Sequence, residues 1–108
     1  MFNDSDIIRL IDMAMGYVKD RSLEEILHNL AQAQRTYYTA KANQDRNKAQ
    51  VIIYSMVQLD TEVKRLEFEY DRLKTVLSQE GCQSIELLIE QLQAQRKQLR
   101  DNKKRLAQ

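Results

Sequence analysis

Apolar positions set the plan of this chain. Reading Ala49, Ile52, Met56, Leu59, Val63, Leu66, Tyr70, Leu73 and Leu77, the steps alternate three and four residues without a slip. That is the seam of a coiled-coil helix, apolar at a and d of each heptad. A second heptad line runs through Leu23, Ile26, Leu30, Ala33, Tyr37 and Ala40, flanked by Leu27, Ala31 and Tyr38. A third runs through Ile85, Leu88, Leu92, Gln95, Leu99, Asn102 and Leu106. Near the start, Ile7, Ile8, Leu10, Ile11, Ala14, Met15, Tyr17 and Val18 make a wider stripe, suited to a core rather than a two-stranded seam. These patterns predict an all-α fold, a small helical bundle with an antiparallel coiled-coil hairpin. The expected helices cover roughly residues 5–20, 23–43, 47–79 and 85–107.

Local signals place the boundaries. Asp4 or Ser5 suits the cap of the first helix, which should end near Lys19-Asp20-Arg21. Ser22-Leu23-Glu24-Glu25 reads as a capping box, with Ser22 accepting from the Glu25 amide. Either the chain turns near residues 43–47 or one helix runs from residue 23 to 79; Asn43, Asp45 and Asn47 favour the turn, so that Val51, Ile53 and Val57 are buried along with the seam. Gly81 suits the residue after a helix end and Ser84 the next N-cap.

A reversal at Cys82 and Gln83 puts Leu66 opposite Leu99, Leu73 opposite Leu92, Leu77 opposite Leu88 and Leu59 opposite Leu106. Tyr70 then faces Gln95 and Val63 faces Asn102. The same register brings Asp60 to Lys103, Glu67 to Arg96 and Glu62 to Arg105, each an opposite-charge pair. The chain is expected to be one domain over residues 1–108, with N-terminal helices over 1–48 and the hairpin over 49–107.

Composition narrows the function classes. The 108 residues include no proline, no tryptophan and two glycines, which suits helices throughout. A mean hydropathy of −0.63 fits elongated helices with much surface. With 17 basic and 16 acidic residues the net charge is +1, so the whole chain has no general attraction for polyanions. The acidic N-terminal stretch lacks the basic region of a signal peptide, and no run reaches the ~20 apolar residues of a membrane span. A single cysteine, Cys82, fits a reducing compartment; the expectation is a cytoplasmic protein without a membrane role.

Candidate chemistry is sparse. His28 is the one histidine, so no histidine-rich metal site is available, and no motif calls for a cofactor. Nothing resembles a phosphate loop or a strained nucleophile turn, which argues against an enzyme. Cys82, at the expected hairpin tip, should be an exposed thiol. Ser22 to Leu27 opens like a helix-turn-helix, but Ala31-Gln32-Ala33-Gln34-Arg35 continues the helix where the turn is required.

The leading expectation is a non-enzymatic helical protein-protein interaction subunit, of an assembly, adaptor or chaperone-like kind. It would bind itself or another helical protein through Val51, Ile53, Val57, Tyr37 and Tyr38. The alternative is a nucleic-acid-associated dimer. In that reading Lys97, Arg100 and Lys104, which lie outside the expected ion pairs of the basic last helix, contact phosphates.

Overall fold

A computed structural model of the chain describes residues 4–42 and 48–107, and within them the surroundings of side chains 5–41, 49–98, 100 and 101. Four helices follow in order: α1 (Asp4–Tyr17), α2 (Arg21–Ala42), α3 (Lys48–Leu73) and α4 (Gln79–Ala107). Each packs beside the next, and α4 returns to α1, so the helices form a closed up-down-up-down ring. The most extensive pairing is α2 with α3. With 29 residues at 1.5 Å per residue, α4 should be about 44 Å long. That accounts for the 45 Å long axis of the molecule, whose other two dimensions are 23 Å. The all-α bundle expected from the apolar periodicity is what forms.

The periodic positions became the core. Leu23, Ile26, Leu30, Ala33 and Tyr37 are buried on α2, Leu59, Val63 and Leu66 on α3, and Ile85, Leu88 and Leu92 on α4. Ile7, Leu10, Ile11, Ala14 and Val18 close the core from the α1 side. The seam of α3 is less complete than its sequence suggests. Ile52, Met56, Tyr70, Leu73 and Leu77 are half-buried and Ala49 is exposed. The fold-back of α2 on α3 forms as expected, although the turn residues Asn43, Asp45 and Asn47 lie outside the described residues.

The helix boundaries differ from expectation where two capping residues compete. α1 ends at Tyr17, and Asp20, not Ser22, caps α2: its Oδ1 accepts from the Leu23 amide at 3.0 Å. The Glu24 amide donates to the Asp20 carbonyl at 2.9 Å, starting the helical ladder. A charged N-cap holds the positive end of the helix more firmly than a hydroxyl. The α3–α4 turn moves similarly. α3 stops at Leu73, and Ser78 caps α4 by accepting from the Gly81 amide at 3.0 Å. Gly81 is therefore a buried helical residue without positive φ, and Ser84 is buried one turn later, donating to the Gly81 carbonyl.

Gly81 has a packing reason. A Cβ there would stand 3.1 Å from Ser78 Oγ and 3.5 Å from the Tyr17 carbonyl oxygen. Glycine thus lets the end of α1 sit against the first turn of α4.

The earlier reversal changes the hairpin register. Asp60 pairs with Arg96, one heptad before the expected Lys103, whose side chain lies outside those described. Glu67 accepts from Gln93 at 2.9 Å rather than pairing with Arg96, and Tyr70 bonds Glu86 rather than facing Gln95. Glu62 is buried and bonds Arg65 within its own helix at 3.0 Å; Arg105, its expected partner, lies outside the described side chains. Leu99 and residues 102–106, to which that register assigned Leu66, Val63 and Leu59, lie outside the described side chains. Gln95 instead reaches across the bundle to α2, where its Nε2 donates to Gln34 Oε1 at 3.0 Å inside the core.

Candidate functional site

Among the described residues, α3 packs against α2 and α4. Asp60, Glu67 and Tyr70 meet α4, while a shallow groove of about 480 Å³ runs between α3 and α2. The helix face opposite the core is left to solvent. Ile53, Tyr54 and Val57 fall on that face within little more than one turn; Phe68 follows three turns later, where with Lys64 and Arg65 it also lines the α2–α3 groove. Their exposures are 55%, 64%, 60% and 69%. Isolated exposed apolar residues are ordinary, but four large ones along one helix face form a stripe.

The polar residues of this stripe satisfy themselves locally. Thr61 Oγ1 donates to the Val57 carbonyl at 3.0 Å, and Gln58 Nε2 donates to the Tyr54 hydroxyl at 3.3 Å. Lys64 pairs with Asp60 at 3.2 Å one turn earlier. Asp60 is slightly buried, which raises its pKa, but the Lys64 hydrogen bond and the charges of Arg96 and Lys64 outweigh this. Its carboxyl therefore titrates below the ordinary 3.8. A partner covering the stripe would meet apolar surface whose polar neighbours already have bonds, so little polar desolvation opposes contact.

The expected partner-binding residues do not form one surface. Ile53 and Val57 are exposed, contrary to the expectation that a small domain must bury them, because it is the seam residues one position earlier, Ile52 and Met56, that turn toward the interior, themselves half-buried. Val51 is half-buried. Tyr37 is a core residue, with the Lys41 ammonium 5.7 Å from its ring centre. Tyr38 is exposed, but it follows Ala31 by one heptad. That is the flank of α2 opposite Ser22 and Asn29, which line the α3-side groove. Tyr54 and Phe68 were missed by reading the seam alone. The signal for them was a second line at helical spacing, through Ile53, Val57, Lys64 and Phe68, on the opposite face.

Other candidates stand apart. Lys97 and Arg100 are exposed on α4, and Lys104 lies outside the described side chains. His28 is exposed. Cys82 is not at a loop tip: it lies in the first turn of α4, half-buried, with its thiol donating to the Lys74 carbonyl at 3.3 Å. Burial and the Glu86 carboxylate, with Cys82 beside it, raise the pKa of the Tyr70 hydroxyl. Among the described residues, no group of three or more His, Cys, Asp or Glu side chains could hold a metal ion. Among them, too, no helix is long and apolar enough to cross a membrane. Comparison with protein-family models, curated proteins and solved structures gives no match to this chain.

Proposed function

We propose that this chain is a non-enzymatic interaction subunit that engages a helical protein through the outer face of α3. The observation that supports this reading is the run of Ile53, Tyr54 and Val57, all more than half exposed on consecutive positions of one helix face. An amphipathic partner helix laid along such a stripe buries apolar surface at roughly 25 cal/mol per Å², without disturbing the bundle's own core. Aromatic residues at the two ends, Tyr54 and Phe68, are the side-chain types that most often anchor interfaces.

The test is a binding comparison. Wild-type chain and an Ile53→Ser/Val57→Ser variant are immobilised and exposed to the same source of candidate partners. Both residues are exposed, so the variant should keep its helical circular dichroism and melting behaviour. A partner held by wild type and lost from the folded variant supports the reading. A partner held equally by both places the binding face elsewhere and overturns it.

A further inference from the structure

Two pairs of residues on the outer face of α3 are centred on one point, although Tyr54 has Glu67, not an apolar residue, as its counterpart. Ile53 and Phe68 lie equally far on either side of the Asp60–Thr61 peptide bond, and so do Val57 and Lys64. We propose that the partner is a second copy of this chain, with the two α3 helices packed antiparallel about a two-fold axis at Asp60–Thr61. This inference rests on the interaction reading above and names its partner. A two-fold interface demands a patch that complements itself, and few helix faces meet that demand.

The antiparallel register places Ile53 on Phe68 of the second copy at both ends of the contact. Val57 lies on the methylene stem of Lys64 from the second copy, whose ammonium, paired with Asp60 of its own chain, also comes near the other Asp60 across the axis. Tyr54 comes beside Phe68 and Arg65 of the second copy, on the flank where Arg65 is already exposed. An aromatic ring under a guanidinium is favourable. The parallel alternative stacks Lys64 on Lys64 and leaves each phenylalanine on its own equivalent, so like charges meet at the centre. Charge complementarity therefore selects the antiparallel arrangement. Ile53 and Phe68 are about 22 Å apart along the helix. A contact of that length falls in the small-interface class, below about 1,200 Å² in total, and should associate reversibly at micromolar concentration.

The experiment combines sedimentation of the full chain with engineered cross-links, the latter in a Cys82→Ser background. Wild type should pass from monomer to dimer between about 1 and about 100 μM. Val57→Glu puts a carboxylate on the exposed face, and should raise the dimer dissociation constant at least tenfold while leaving helicity unchanged. Thr61→Cys should cross-link to itself under oxidised glutathione, because position 61 meets its own equivalent at the axis. Ile53→Cys should not, since its two copies would stand about 22 Å apart. Cross-linking at Ile53→Cys, or its failure at Thr61→Cys in a dimer, overturns the proposed arrangement. A wild-type chain that stays monomeric overturns the second copy as partner. If that monomer still binds another helical protein, and Val57→Glu abolishes the binding, the interaction reading stands alone.

Discussion

Gln34 and Gln95 offer a sharp test of the packing, because their bond crosses the bundle inside the core. Gln34 is 0% exposed and Gln95 4%, and the amide bond between them measures 3.0 Å. Replacing either residue by methionine keeps the length and removes the amide. The surviving glutamine then loses this bond in a place that water does not reach. Leaving a buried amide group short of a partner costs about 1–3 kcal/mol, against a net worth near 1 kcal/mol for the bond itself. Each single variant should therefore lose about 1–3 kcal/mol. The double variant removes both ends of this bond at once, so its loss should fall short of the two single losses added together. The shortfall should exceed the ~0.5 kcal/mol scatter of independent sites. Urea unfolding followed by circular dichroism measures all four proteins. In a domain of this size each kcal/mol moves Tm by about 4–8 °C, so thermal melts give an independent reading. Strictly additive losses, with the double variant worst of all, would refute the idea that these two side chains serve each other.

The caps, the glycines and two carboxylates yield further outcomes. Asp20→Ala should cost about 0.5–2 kcal/mol in a melt and Ser22→Ala nearly nothing, since only Asp20 bonds the first turn of α2. Gly16→Ala, with open space around the added carbon, should stabilise by up to about 1 kcal/mol. Gly81→Ala should fall short of that gain or destabilise, because its Cβ crowds the capping hydroxyl of Ser78. Glu62→Met should leave stability unchanged or raise it in urea unfolding: Glu62 is buried, and its Oε2 has no hydrogen-bond partner among the described residues. Asp60 has a depressed pKa, so its contribution is present above the unfolded value and disappears as pH falls through the lower folded value. Asp60→Asn should thus be slightly less stable than wild type at neutral pH, by no more than about 1 kcal/mol for so exposed a pair, and indistinguishable from it well below pH 3.8.

The candidate site was only half legible in the sequence. Ile53 and Val57 were candidates in the sequence, but as members of a set with Tyr37, which the core took, and Tyr38, which the other flank of α2 carries. A helix pattern ranks faces by their apolar content. It does not count the neighbours available to cover them, and α3 has two.

What the sequence determined by itself was the helical class and the inward line of the helices; whether the second and third were one helix or two was left to the structure. Leu23 to Tyr37, Leu59 to Leu66 and Ile85 to Gln95 carry heptad spacing, and their periodic members are buried. Periodicity is a property of one helix and needs no knowledge of its neighbours. Register is different. A heptad seam slid by seven residues still sets apolar on apolar, so α3 and α4 accept more than one alignment by pattern alone. The tertiary structure broke that tie through contacts remote in sequence. α1 packs its end on Gly81, Ser78 rather than Ser84 starts α4, and Gln95 reaches Gln34 instead of α3. Each of these moves the hairpin turn toward Leu73, and with it Arg96 comes to Asp60.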